Sequence, residues 1–251
     1  MLIRQSQFAS FSAAAEQHFE REMVEHLSRF APELARVAGT AGITNAVQLG
    51  ISRARSYGFT THGPVRLYLE LMCSLGSDFD SDPQYPWAGA ALQDLEYPDQ
   101  TWRASQLYRA SATYFESVAG PNDTHALNAL KNARRANMLG DYAPGGLTEA
   151  ILARFDACYP QKYRYVGAEH LRPLISRSLQ ISEAHGICSG RYRAFVAAVL
   201  FGFGHGALTD PLYAWIGKAL GDTLVTNPED RAERLYRRLE VYIDHIIQTL
   251  A

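Results

Sequence analysis

Cysteine is scarce in this chain and follows no pairing pattern: Cys73, Cys158 and Cys188 are three in 251 residues, with no C-x-x-C among them. That excludes a disulfide framework and paired-cysteine zinc or redox motifs, and it suits a reducing cytoplasm. An excess of one charge is missing as well, because 24 Lys and Arg stand against 26 Asp and Glu for a net charge of −2. No global field draws the chain to nucleic acid or to an acidic membrane surface, so a partner must be recognised by shape. Long apolar runs are absent too. Nothing approaches the roughly 18 residues of a membrane span, and Met1 to Ala15 mixes polar residues with Phe8 and Phe11 where a signal peptide would carry an apolar core. The expected location is therefore the cytoplasm. Period-two alternation is absent over any useful length, which removes β-sheet from the expected fold.

What the chain has is a copy of itself. Gly58 falls on Gly186, an offset of 128 residues, and the same offset carries Asp82-Pro83 onto Asp210-Pro211, Tyr85 onto Tyr213, Trp87 onto Trp215 and Arg103-Ala104 onto Arg231-Ala232. Pro32, Arg36 and Gly39 return as Pro160, Arg164 and Gly167, and Leu107-Tyr108-Arg109 returns as Leu235-Tyr236-Arg237. Residues 23–118 and 151–246 thus read as two copies of one unit, and comparing them separates what the unit's fold requires from what a single copy kept. The expected organisation is an N-terminal helical unit over 1–118, a connector over 119–150 and a C-terminal helical unit over 151–251.

Within the unit the spacing is helical. Phe8, Phe11, Ala15, Phe19, Met23, Leu27 and Phe30 fall at steps of three and four, predicting one long amphipathic helix. A second is predicted from about Ile43 to Tyr57, with Gly58 as the left-handed residue that ends it and Gly186 ending its counterpart. A third is predicted from Pro64 to Leu75 and, in the other copy, from Arg193 to Phe203, stopped by Gly76 and Gly204. Asp82-Pro83 and Asp210-Pro211 carry a helix-start signal, the aspartate as N-cap and the proline at a position that needs no amide hydrogen. The last helix of each unit opens near Arg103 or Arg231. Asn122 to Leu139 reads as an extra helix, followed by a loop from Gly140 to Gly146. The expected fold is all-α: two tandem, similar repeats of about four to five helices each, joined by a helical connector.

Several residues could carry chemistry. Asp78 and Asp80 alternate with Asp82 as carboxylates do in a calcium loop, although the glycine and distal glutamate of an EF-hand are missing and the second copy has Gly206 and Leu208 in their places. Together with His205, which lies between Gly204 and Gly206, they are the candidates for a metal-dependent enzyme. Tyr85-x-Trp87 and Tyr213-x-Trp215 would point to different faces of a helix, so they read either as seam-filling aromatics or as anchors for a partner. The chain contains no G-x-S-x-G, no H-E-x-x-H and no P-loop, so no catalytic residue and no cofactor is expected. The basic residues Lys131, Arg134 and Arg135, and Arg231, Arg234, Arg237 and Arg238, are interleaved with acids as on solvated helix faces, and nucleic-acid binding is not expected.

The string Tyr57-Gly58-Phe59, Leu71-Met72, Gly76-Ser77-Asp78-Phe79-Asp80 and Asp82-Pro83-Gln84-Tyr85-Pro86-Trp87 resembles a small helical family of Gram-negative bacteria encoded beside type VI secretion components. The resemblance covers most of the first unit and, more loosely, the second, where His185 replaces Tyr57. It implies a non-enzymatic, protein-binding accessory role as chaperone, co-chaperone or adaptor, with a secreted effector, its adaptor or a spike-tip protein as partner. A cytoplasmic immunity protein is the alternative it implies. A pseudo-two-fold monomer is also compatible with a homodimer.

Overall fold

A computed structural model describes the protein over residues 5–94, 96–135 and 146–250, with side chains described for 14–94, 96–135 and 146–249. The helices are α1 (Gln5–Phe30), α2 (Pro32–Ser56), α3 (His62–Leu75), α4 (Pro86–Leu92), α5 (Gln100–Val118), α6 (Thr124–Arg135), α7 (Leu147–Cys158), α8 (Pro160–Val166), α9 (Ala168–Ala184), α10 (Gly190–Phe203), α11 (Ala214–Leu220) and α12 (Pro228–Leu250). Among the described residues there is no strand, and no helix is long and apolar enough to cross a membrane. The fold is all-α.

Element ends follow the sequence offset: α3, α4 and α5 open at 62, 86 and 100, while α10, α11 and α12 open at 190, 214 and 228. The long α2 corresponds to α8 plus α9. Gly39, at φ +68°, kinks the first, and Gly167, at φ +82°, separates the other two. Gly58 and Gly186 both sit at φ +74°. In each case the following amide closes back on the helix, Phe59 N–H on the Ala54 carbonyl at 2.9 Å and Ile187 N–H on Ser182 at 2.8 Å. This is the paired bonding that a left-handed residue after a helix permits.

Each half has its own apolar core. Leu27, Ile43, Val47, Phe59, Tyr68 and Met72 fill the first, and Ile151, Leu171, Ile175, Phe195, Leu200 and Leu235 the second. Leu212 of the second half belongs to the first core, and Tyr159 and Tyr213 pack against both, so the halves are joined through apolar contact. The predicted α1 stripe is partly kept: Met23 and Leu27 are buried, Phe19 is half-buried, and Phe30 is exposed because the chain turns into α2 one residue later. Phe8 and Phe11 lie outside the described side chains.

Several predicted boundaries are corrected. The helix predicted from about Ile43 is preceded by a further segment from Pro32, and Gly39, whose φ/ψ of 68°/170° is not helical, divides the two within α2 as Gly167 divides α8 from α9. Asp82 and Asp210 do cap, but each opens a single turn: their Oδ1 atoms accept from Gln84 N and Leu212 N at 2.9 and 2.8 Å, and the helices proper begin at Pro86 and Ala214. α5 and α12 open three residues before Arg103 and Arg231. Asp99 caps the first by accepting from Trp102 N, and Asn227 accepts from Glu229 N at the second. The connector helix is described to Arg135, and the Gly140–Ala143 and Pro144–Gly145 part of the predicted loop lies outside the described residues.

Candidate functional site

The capping aspartates also hold the two halves together, each reaching across to the other. Asp82 Oδ2 accepts from the His205 amide at 2.6 Å, and Asp210 Oδ2 accepts from the Ser77 amide at 2.7 Å. Ser77 and His205 are themselves partners under the offset, so the exchange is reciprocal. Ser77 Oγ donates to Asp210 Oδ1 at 2.6 Å, and Gln84 Nε2 donates to the Leu200 carbonyl at 3.2 Å. The backbones meet at Gly76 and Gly204. A Cβ on Gly76 would lie 2.6 Å from the Phe203 carbonyl oxygen, and one on Gly204 would lie 3.0 Å from that of Leu75. These residues sit at φ +96° and +92°, a backbone region glycine reaches without a side-chain penalty.

Asp78, Asp80 and His205 all fall at this joint, each with a side-chain atom already engaged. The Arg53 guanidinium pairs with Asp78 and donates to the Ser77 carbonyl at 2.5 Å, so a cation of the protein's own stands beside this carboxylate. Asp80 Oδ2 accepts from the hydroxyls of Tyr57 at 3.0 Å and Tyr68 at 2.7 Å. Burial, reinforced by that carboxylate, pushes the Tyr57 hydroxyl up to about 12 and raises Tyr68 further, which keeps both as donors. His205 Nε2 lies 3.3 Å from Ser81 Oγ. Among the described residues no group of three or more His, Cys, Asp or Glu side chains is poised to hold a metal ion. The second copy's lack of an aspartate at 206 has a steric cause, since a Cβ on Gly206 would collide with Asp78 Oδ2. One side chain fits there.

The aromatic pairs do not diverge as helix spacing predicted. Tyr85 precedes α4 and is 3% exposed, so its ring and that of Trp87 turn into one cluster with Tyr114, at 5.3 Å from Tyr85 and 5.9 Å from Trp87. Trp215 likewise meets Tyr242 at 5.8 Å, and Phe203 meets Tyr213 at 4.9 Å. Tyr213, Trp87 and Trp215 are half-buried. Among the described residues the large apolar side chains that stand out to solvent are others: Phe30, Tyr97, Tyr108, Tyr165, Leu224 and Val241. The basic runs are paired in part, with Arg134 Nε 2.6 Å from Asp244 and Arg237 Nε 2.8 Å from Glu233.

A feature that sequence reasoning missed lies under α6. Ala126, Ala129, Leu130 and Ala133 of this helix roof a partly enclosed hollow of about 330 Å³, walled by Phe155, Phe201 and Phe203 and by Tyr159, Tyr213 and Tyr242. Wider depressions near Asp222 are more open to solvent. Lys162 of α8 enters the hollow and is 5% exposed. Its Nζ donates to the Phe201 carbonyl at 2.6 Å and lies 4.7 Å from the Phe201 ring centre and 5.6 Å from that of Tyr85. The two copies held a signal for it: Leu34 occupies the corresponding position in the first half and is buried. The unit accepts an apolar residue here, so the lysine is a departure in one copy.

Burial lowers the Lys162 ammonium from the ordinary 10.5 to about 8, partly opposed by Asp82. At pH 7 the amine is charged in both folded and unfolded chains, and the folded form bears the desolvation penalty. Between pH 8 and 10.5 the folded form sheds a proton that the unfolded chain still holds, so stability climbs with pH over that window, by about 3 kcal/mol if this group acts alone. Lys162→Leu is expected to raise the unfolding free energy at pH 7 by about 1–3 kcal/mol and to flatten that climb. Urea titrations at pH 7 and pH 10 check both, and a destabilised variant at pH 7 would mean that the lysine's contacts outweigh its burial.

No family model, curated protein or solved structure matches this chain.

Proposed function

We propose that the chain is a non-enzymatic, protein-binding accessory protein of a type VI secretion effector module, acting as chaperone or adaptor for an effector or spike-tip protein. The observation that carries the reading is what the joint does with its polar groups. Asp78, Asp80, Asp82 and Asp210 are spent on Arg53, on two tyrosines and on backbone amides across the halves, which makes one preorganised body. The similarity of residues 57–87 to the secretion-associated family supplies the partner class. Exposed tyrosines supply the anchors, since they bring large contact area at low entropy cost. Tyr108 on α5 is 61% exposed, and Tyr165 on α8 is 38% exposed with its ring edge-on to Tyr114 at 5.2 Å, whereas Tyr236, the offset partner of Tyr108, is half-buried with its ring edge-on to Phe195 at 5.4 Å.

The test is capture by the tagged chain from its native cytoplasm under a moderate salt wash. An effector, adaptor or spike-tip protein should be recovered, and Tyr108→Ala combined with Tyr165→Ala should weaken its binding by about thirty-fold, the size of a hot-spot loss near 2 kcal/mol, with Tyr108→Ala alone weakening it at unchanged melting temperature. Recovery of no such protein, or capture indifferent to both substitutions, would overturn the reading. Rescue of a toxin-sensitive strain by the same chain would transfer the role to immunity.

A further inference from the structure

We propose that the hollow under α6 is a binding site for a medium-chain carboxylic acid, its apolar chain lying among the aromatic walls and its carboxylate on Lys162. Neither Tyr108 nor Tyr165, the tyrosines invoked for partner binding, lines it. Among the described residues its lining contains two charged side chains, Arg154 and Lys162, both cationic, and no acid. Lys162 Nζ has a single backbone acceptor and no carboxylate in ion-pair reach among the described residues, because Asp82, the nearest acidic influence on it, gives its oxygens to Gln84 and His205. A buried cation without a counter-ion is costly, and folds normally pair it. The first half shows that the fold does not need one at this position, since Leu34 serves there.

Asp82 and Tyr85 of the first half lie near the ammonium, and the other titratable groups of the hollow are Cys158 and Arg154 from α7, Tyr159 from the α7–α8 junction, Tyr213 from the turn before α11 and Tyr242 from α12. Burial raises Cys158, Tyr159, Tyr213 and Tyr242 above their ordinary values, so these thiol and phenol groups stay neutral at pH 7. A volume of about 330 Å³ lies at the small end of ligand pockets, roughly 300–1,000 Å³, which suits a medium-length chain such as that of decanoate. The walls can bury that chain, and an ammonium at low dielectric prefers a carboxylate to a hydroxyl of equal length.

Calorimetric titration of the intact chain with decanoate and with 1-decanol separates the two contributions. At pH 7 decanoate should bind at least tenfold more tightly than 1-decanol, and at pH 9.5 that preference should fall by about tenfold while 1-decanol is unchanged. Lys162→Leu should remove the preference and keep binding of the alcohol, with its melting temperature showing that it folds. Equal affinities for acid and alcohol, a preference that survives Lys162→Leu, or no binding of either at millimolar concentration would each overturn the proposal. None of these outcomes bears on capture through Tyr108 and Tyr165.

Discussion

Asp210→Ala should lower the unfolding free energy by about 3–5 kcal/mol, because it orphans three donors at a buried joint at about 1–3 kcal/mol each where no water replaces the acceptor. Those donors are the Ser77 amide at 2.7 Å, the Ser77 hydroxyl at 2.6 Å and the Leu212 amide at 2.8 Å, and Asp210 itself is 2% exposed. Burial lifts the Asp210 carboxyl above its usual range in spite of those donors. Folding therefore favours the protonated acid, and this group's contribution to stability falls as pH rises through its raised pKa. A side-chain amide keeps one acceptor oxygen and no charge, so Asp210→Asn should cost roughly half as much as Asp210→Ala. Denaturant titrations of Asp210→Ala, Asp210→Asn and Asp210→Ala with Ser77→Ala decide the matter. The double variant should be no more than about 1 kcal/mol worse than Asp210→Ala alone, and an Asp210→Ala loss under about 1 kcal/mol would mean that the joint is held by apolar contact instead.

Gly76→Ala should be about as damaging, at about 3–5 kcal/mol, and Gly39→Ala shows why. Gly39 and Gly76 share a conformation that side chains rarely enter, with φ/ψ of 68°/170° and 96°/152°. A Cβ on Gly39 would meet nothing within 4 Å, whereas one on Gly76 would lie 2.6 Å from the Phe203 backbone oxygen. Gly39→Ala therefore measures backbone strain alone, about 1–3 kcal/mol. Gly76→Ala adds the cost of parting two backbones, about 1–3 kcal/mol as in an overpacked core. If the two substitutions cost the same in parallel denaturant titrations, the close approach at Phe203 contributes nothing.

The all-α fold was legible because helix formation is local. Steps of three and four mark part of the buried face of α1, at Met23 and Leu27, and the glycines at 58 and 186 end their helices as predicted. Boundaries set by contact were less legible. Pro83 and Pro211 could equally open a helix or a single turn, and the choice fell to the turn because the aspartate before each is drawn across the joint. The same cause turned Tyr85 inward: it lies ahead of α4, so helix spacing did not govern its direction. Lys162 was visible as a leucine-to-lysine difference between the copies, but its meaning depended on which walls surround it.

The order of residues alone determined the all-α class, the glycine stops and the correspondence at an offset of 128, because each is written within a turn or two of chain or in direct comparison of like with like. Tertiary structure decided what the retained groups do. Asp82 meets His205 across 123 residues and Asp210 meets Ser77 across 133. No local periodicity encodes such pairings, which arise when two folded halves bring their caps within hydrogen-bond distance. The same close packing leaves room for Asp78 opposite Gly206 but not for a second side chain, and encloses a lysine where the other half keeps a leucine.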